Sequence, residues 1–206
     1  MSVATNGARG RRILAVAAAL LAVGAVLTGC TNDALAKQYT SGDDKNYIAG
    51  SGVTELKPAD RAAPVHFSGE TESGDTFSSK SALGDVVVVN FWYAGCPPCR
   101  AEASDLTKIA AQYKAKGVQF IGVNTRDSAT TAQSFDAEFK MDYPSILDVD
   151  GGAVQLAFSG SMRPNATPTT FVIDKEGRIA ARIAGDIAAQ PSTLTTLINS
   201  TLAEGN

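Results

Sequence analysis

Two cysteines two residues apart, Cys96-Pro97-Pro98-Cys99, are the side chains in this sequence best suited to chemistry. A dithiol at that spacing can close and reopen as a disulfide. One thiolate attacks a disulfide sulfur, and the second thiol resolves the mixed disulfide that forms. The chain holds three cysteines and one histidine: Cys30, Cys96, Cys99 and His66. So few sulfurs exclude a structural disulfide framework. Two neighbouring thiolates and one histidine also fall short of a conventional zinc site, so no metal or other cofactor is expected. A static disulfide is the alternative for the pair, but a three-residue step closes a very small loop and offers little stabilisation for its strain.

The elements around the pair would have to position it. Residues 86–93, preceded by Gly84-Asp85, form a nearly continuous apolar run, which suits a central strand buried on both faces. Beyond the cysteines, Leu106, Ile109, Ala110 and Tyr113 fall at i, i+3, i+4 and i+7, one face of a helix that Gly117 can stop. That order puts Cys96 at the exposed start of a helix, where unpaired N–H groups and the positive end of the dipole stabilise a thiolate. Cys96 is therefore expected to attack, and Cys99, one turn inward, to resolve. Pro97 and Pro98 lack N–H groups and withdraw donors from that sulfur. They are tolerated because this is the first turn.

At 206 residues the chain suits one domain plus extensions. A net charge of −3 and a pI near 5.2 give no reason to expect nucleic-acid binding. Arg9, Arg11 and Arg12 precede an apolar run over residues 13–27, the length of a signal segment and short for a membrane span. The run ends in Leu27-Thr28-Gly29-Cys30, which resembles the bacterial lipobox. Residues 1–29 are accordingly expected to be a lipoprotein signal peptide, with Cys30 as the lipidation site. An ordinary signal peptide, or an uncleaved anchor with an incidental cysteine, is the alternative. Residues 30–63 collect Gly, Ser, Asp and Lys without periodicity and read as a flexible tether. The mature protein would then be extracytoplasmic and lipid-anchored to the cell membrane, in a compartment that tolerates disulfides.

Residues 65–67 and Thr76–Ser78 flank Ser73-Gly74-Asp75, an N-terminal β-hairpin pattern. Residues 118–123 form the next strand pattern. Asp127 or Ser128 can then cap a helix whose inner face carries Ala132, Phe135 and Phe139. Ser145–Leu147 is a short strand, followed by a weak helical stretch over 153–158. Thr169–Ile173 and residues 178–184 read as two strands joined by a tight turn. A last helix carries Leu194, Leu197, Ile198 and Leu202 on one side. This alternation specifies an α/β domain over residues 64–206, a mixed sheet with helices on both faces.

The order of elements and the motifs together resemble the thioredoxin fold, and within it the TlpA/ResA-like envelope thiol–disulfide oxidoreductases. The residues that carry the resemblance are Val89-Asn90-Phe91-Trp92, Cys96-Pro97-Pro98-Cys99-Arg100-Ala101-Glu102, Tyr143-Pro144 and Asp148-Val149-Asp150-Gly151. Thr167-Pro168-Thr169-Thr170-Phe171-Val172-Ile173-Asp174, with Gly177-Arg178-Ile179, completes the set. The resemblance implies a thioredoxin fold with an N-terminal hairpin extension and exchange of a CPPC dithiol/disulfide with protein thiols of the cell envelope. It implies the role of a reductant, for example in cytochrome c maturation, supplied with electrons by a DsbD/CcdA-like membrane partner, and a monomer.

Pro168 matches the family's cis-proline, which faces the cysteine pair, and Thr167 would pair its backbone with an extended substrate segment. An ordinary trans proline at a strand entrance is the alternative. Trp92 belongs to the same substrate-side group, although with Phe91 it reads as packing the site. Thioredoxins carry a buried Asp two residues before that Trp. Here the position is Asn90, which cannot titrate. Glu102 matches a Glu that TlpA/ResA-like proteins place near the active site and is expected to tune or relay protons. A solvated Glu at a helix N-terminus is the alternative. Gly95 in place of a Trp before Cys96 leaves the first sulfur less shielded. His66 reads as a surface residue. Two other functions stay open: a disulfide-forming oxidant of the same fold, and a copper-handling or redox-inert binding module. The copper-chaperone relatives use Cys-x-x-x-Cys with a distant His, a spacing that Cys96 and Cys99 do not share.

Overall fold

The computed structural model describes residues 52–160 and 162–204. The expected signal peptide, Cys30 and the tether up to residue 51 lie outside the described residues. In chain order the strands and helices begin with β1 (Val53–Glu55), β2 (Ser68–Glu70), β3 (Thr76–Ser78), β4 (Val86–Trp92) and α1 (Pro97–Lys114). Then come β5 (Val118–Asn124), α2 (Ala129–Phe139), β6 (Ser145–Leu147) and α3 (Ala153–Ala157). The chain closes with β7 (Thr169–Ile173), β8 (Ile179–Ala184) and α4 (Pro191–Ala203).

Six strands make one mixed sheet in the order β1-β8-β7-β4-β5-β6, and β2 and β3 pair separately. β4–β5 and β5–β6 are parallel, whereas β4–β7, β7–β8 and β8–β1 are antiparallel. β4 lies at the centre because its side chains are apolar on both sides of the pleat. Val86 and Val88 pack with Leu106, Ile109, Leu194 and Ile198 of α1 and α4. Val87, Val89 and Phe91 face Phe67, Ile146, Val154 and Phe158 on the opposite layer. Each such side chain contributes roughly 1.5–3 kcal/mol on burial. A strand buried on both sides is thus fixed in place, and its C-terminal end holds the cysteines where the sheet stops.

The helices begin and end as their sequences dictate. Cys96 is the N-cap of α1, and Gly117 beyond its end sits at φ +73°, where a side chain would be strained. Ser128 caps α2 by accepting from Thr131 N. Lys140 ends that helix in the left-handed region at φ 56°.

Two boundaries differ from the sequence reading by more than a residue. The hairpin's first strand is Ser68–Glu70 rather than 65–67, because Val65 N bonds Gly177 O at 2.8 Å and Phe67 N bonds Ser79 Oγ at 3.0 Å. His66 between them is exposed, as expected. The hairpin lies against β6: Thr71 bridges Ile146, and a Cβ on Gly69 would meet Ile146 Cγ2 at 2.3 Å. It therefore covers the edge of the sheet.

The domain also starts before residue 64. Val53–Glu55 pairs with β8, and the Arg61 side chain, 1% exposed, is held by Leu56 O, Asp174 and Glu204. A three-residue edge strand and a single arginine leave no periodic trace, which is why this stretch reads as tether. Among the described residues no helix is long and apolar enough to cross a membrane.

Candidate active site

The site lies where β4 ends. Cys96 and Cys99 are joined in a disulfide with Cα atoms 5.2 Å apart. Cys96 caps α1, and its Sγ accepts from Cys99 N at 3.3 Å. Pro97 and Pro98 fill the two positions between, so the first N–H aimed at the sulfur comes from Cys99.

The sulfurs are more covered than the sequence implied. Cys96 is 1% and Cys99 2% exposed, against an expected exposed helix start and a poorly shielded first sulfur. Much of the cover comes from far along the chain: Thr167 O sits 3.6 Å from Cys96 Sγ, and Ala132 and Phe135 join Trp92 and the cysteines in one buried cluster. Gly95 and Pro97 beside Cys96, and Arg100 beside Cys99, are exposed.

The Thr167–Pro168 peptide is cis, as the motif implied. Pro168 O accepts from Gly185 N at 3.0 Å, and Thr169 Oγ1 donates to Ala166 O at 2.6 Å, so both flanks of the proline are tied down. Trp92 is placed differently from the substrate-side expectation. Its ring is buried, its Nε1 donates to Ser145 Oγ at 3.1 Å, and its centroid lies 4.3 Å from that of Phe135. It forms the wall behind the disulfide and presents no face to a docking chain. The wall is tight, since a Cβ on Gly122 would meet Ser145 Oγ at 2.1 Å and Trp92 Nε1 at 2.7 Å.

Glu102 is not a solvated helix residue. It is 0% exposed; Oε1 accepts from Asn90 Nδ2 and Oε2 from Ile187 N, both at 2.9 Å. Asn90 Nδ2 also donates to Thr170 Oγ1 at 3.0 Å. Burial pushes the Glu102 carboxyl up to about 7, against the pull of the Ile187 and Asn90 donors, and nearby Asp186 adds to the rise. Asn90 cannot titrate, but it grips Glu102, an acid that can. The neighbour of Cys99 one turn on is thus a carboxylic acid poised near neutrality, as general acid–base chemistry requires.

Sequence reasoning missed Ile187 and Ser145, which only tertiary structure brings to the site, and read Asp127 only as a possible helix cap. Among the described residues no group of three or more His, Cys, Asp or Glu side chains could hold a metal ion.

Fold and site define a thioredoxin-like thiol–disulfide oxidoreductase. The Redoxin family model matches residues 57–198, and the chain belongs to that family, in its TlpA/ResA-like branch. It is 29% identical over 126 residues to the thiol-disulfide oxidoreductase ResA of Halalkalibacterium halodurans, covering 61% of this chain and 69% of that protein. It is 36% identical over 104 residues to the thiol:disulfide interchange protein HelX of Rhodobacter capsulatus, covering 50% of this chain and 54% of that one. Among solved structures, a DsbF homologue from Corynebacterium diphtheriae superposes with a TM-score of 0.63 at 31% identity, over 75% of this chain and 96% of its own. A secreted thiol-disulfide isomerase from Corynebacterium glutamicum gives 0.67 at 28%, over 77% and 96%.

Proposed function

We propose that this protein reduces protein disulfides outside the cytoplasm, with Cys96 as attacking thiol, Cys99 as resolving thiol and Glu102 as the proton acceptor. The observation that carries the reading is the stack of Cys96 at the helix N-cap, Cys99 one turn inward, and buried Glu102 one turn further. The Cys96 thiolate attacks a substrate disulfide and releases one substrate thiolate. Cys99 then gives its proton to Glu102 and attacks the Cys96 sulfur, releasing the second substrate thiolate and closing the disulfide. Two electrons pass to the substrate, and an envelope dithiol donor of the DsbD/CcdA type, embedded in the membrane, returns them. Thr167 beside Cys96 offers its backbone to the substrate segment, and Pro168 shapes that wall.

The reducing direction is favoured by the donors at Cys96. A strong oxidant of this fold owes its potential to a stabilised reduced form. Here Pro97 and Pro98 remove two N–H groups from the thiolate's surroundings, which weakens that stabilisation. The disulfide of an oxidised apocytochrome c in the envelope, which the step returns to two thiols, is the substrate that best suits such a reductant.

Glu102→Gln tests the proton role. The folded carboxyl titrates near 7 against an ordinary value of 4.5, so the protonated form is favoured in the fold. The stability this brings is complete below 4.5 and is lost as the pH rises through 7, at up to about 1.4 kcal/mol per pH unit. The amide of the variant stays neutral at every pH, so its unfolding stability should fall less steeply from pH 4.5 to 7. A residual slope remains from half-buried Asp136, which burial and nearby Glu72 also push up to about 7. The resolving step should slow by roughly 10²-fold and lose its inflection near neutrality. Stopped-flow exchange across pH checks this, and an unchanged profile would leave Glu102 as a structural prop.

The export reading rests on Arg9, Arg11, Arg12, the apolar run and Leu27-Thr28-Gly29-Cys30, and the relative from C. glutamicum is itself described as secreted. A lipid on Cys30 would hold the domain at the membrane. Cys30→Ala is then expected to move the protein from the membrane to the soluble fraction. Unchanged membrane fractionation of that variant would count against lipidation.

A further inference from the structure

We propose that Asp127 is a positioning residue for the attacking cysteine: its carboxylate pins the turn of residues 93–95 that carries the end of β4 into Cys96. This rests on Cys96 as the attacking thiol. The turn contains exposed Gly95 and lies outside every strand and helix, so little within it fixes its course. What fixes it comes from the end of β5. Asp127 Oδ2 accepts from Ala94 N at 2.6 Å, a short charge-assisted bond. Thr125 N donates to Trp92 O at 3.1 Å, and the Arg126 guanidinium lies 4.2 Å above the Tyr93 ring. Three successive residues, from the end of β4 into the turn, are thus gripped by three successive residues of one loop. Tyr93 O in turn accepts from Cys96 N at 3.1 Å, which passes the placement on to the cysteine.

The carboxylate is itself aimed. Asn124, fully buried, donates from Nδ2 to Asp127 Oδ2 at 2.8 Å, and its Oδ1 accepts from Arg126 N at 3.1 Å and Asp127 N at 2.8 Å. That side-chain turn orients Asp127 before α2 begins, and the helix does not need Asp127 as a cap, because Ser128 serves there. An aspartate that neither caps its helix nor, among the described residues, forms an ion pair, yet is held by a buried asparagine toward the turn before Cys96, serves that turn.

Two effects of Asp127 on the Cys96 thiolate oppose each other, which makes them separable. Its negative charge disfavours the thiolate, whereas its anchor keeps Cys96 in the N-cap geometry that favours it. Asp127→Asn removes the charge and keeps an oxygen for Ala94 N. Asp127→Ala removes both. The test uses the reduced full chain, with iodoacetamide alkylation across pH for the Cys96 titration and dithionitrobenzoate for the exchange rate. Asp127→Ala should titrate higher than Asp127→Asn and exchange about tenfold more slowly, the effect of one lost neutral hydrogen bond at the upper end of its usual worth. Should Asp127→Ala not fold, Asp127→Gln, whose longer arm moves the acceptor off Ala94 N, takes its place under the same criterion. Coincident titrations and rates in a wild type that exchanges disulfides would overturn the positioning role alone. A wild type inert toward the disulfide would overturn the parent reading and this one together.

Discussion

A Cys99→Ser variant is expected to accumulate disulfide-linked complexes with partner proteins, and a Cys96→Ser variant to accumulate none. Cys96 stands at the helix N-cap between exposed Gly95 and Pro97, with Thr167 O against its sulfur. In the proposed mechanism it is the sulfur that attacks the docked chain. Cys99 lies one turn inward along α1. Without Cys99 the mixed disulfide has no internal thiol to resolve it, so it persists. Without Cys96 the inner thiol has no approach to a partner disulfide. Turnover should fall on the order of 10³-fold or more in either variant, as loss of an enzyme nucleophile does. Non-reducing gels of the two variants separate the roles, and complexes on Cys96→Ser instead would reverse them.

The second large effect concerns stability. Arg61 joins three parts of the domain that are distant in sequence. Its Nη1 bonds Asp174 at 2.8 Å at the β7–β8 turn, Nη2 bonds Glu204 Oε1 at 2.6 Å beyond α4, and Nε bonds Leu56 O at 3.2 Å after β1. Asp174 is nearly buried and keeps Arg178 at 2.9 Å when Arg61 is lost, but the buried end of the network is left short of charge. Arg61→Ala is therefore expected to cost about 3 kcal/mol of unfolding stability, the usual cost of breaking a buried pair from one side. The cysteines are not part of this network, so exchange at temperatures well below the transition should be unchanged. Denaturant unfolding checks the first statement and dithionitrobenzoate kinetics the second. An unshifted midpoint would mean that residues 53–61 only rest on the domain.

What was legible in the sequence follows physical range. β4 and α1 were readable because apolar runs and 3.6-residue periods are local, and they place the cysteine pair at a strand-to-helix junction without any tertiary knowledge. The cis peptide before Pro168 and the location of Glu102 came from motifs. The burial of Cys96 was not readable, since its cover is Thr167 O from a loop far along the chain. Nor was the state of Glu102: its burial depends on Ile187 N and Asn90 Nδ2 arriving from two other elements. The stretch around Arg61 misled for a different reason, because one side chain, rather than a pattern, orders it. Asp127 was visible only as a possible cap, a role that Ser128 fills. Local pattern thus located the chemistry, and long-range contacts set its protonation, cover and alignment.

Redox titration of the Cys96–Cys99 couple against defined thiol buffers shows whether the pair exchanges as a reductant. The couple should show one reversible two-electron transition with a potential of roughly −200 mV or below, nearer thioredoxin at about −270 mV than the strongly oxidising members of the fold at about −120 mV. A pair that stays closed against every such buffer would make the disulfide a static one and contradict the exchange mechanism. A reversible transition near −120 mV would keep the exchange and reverse its direction.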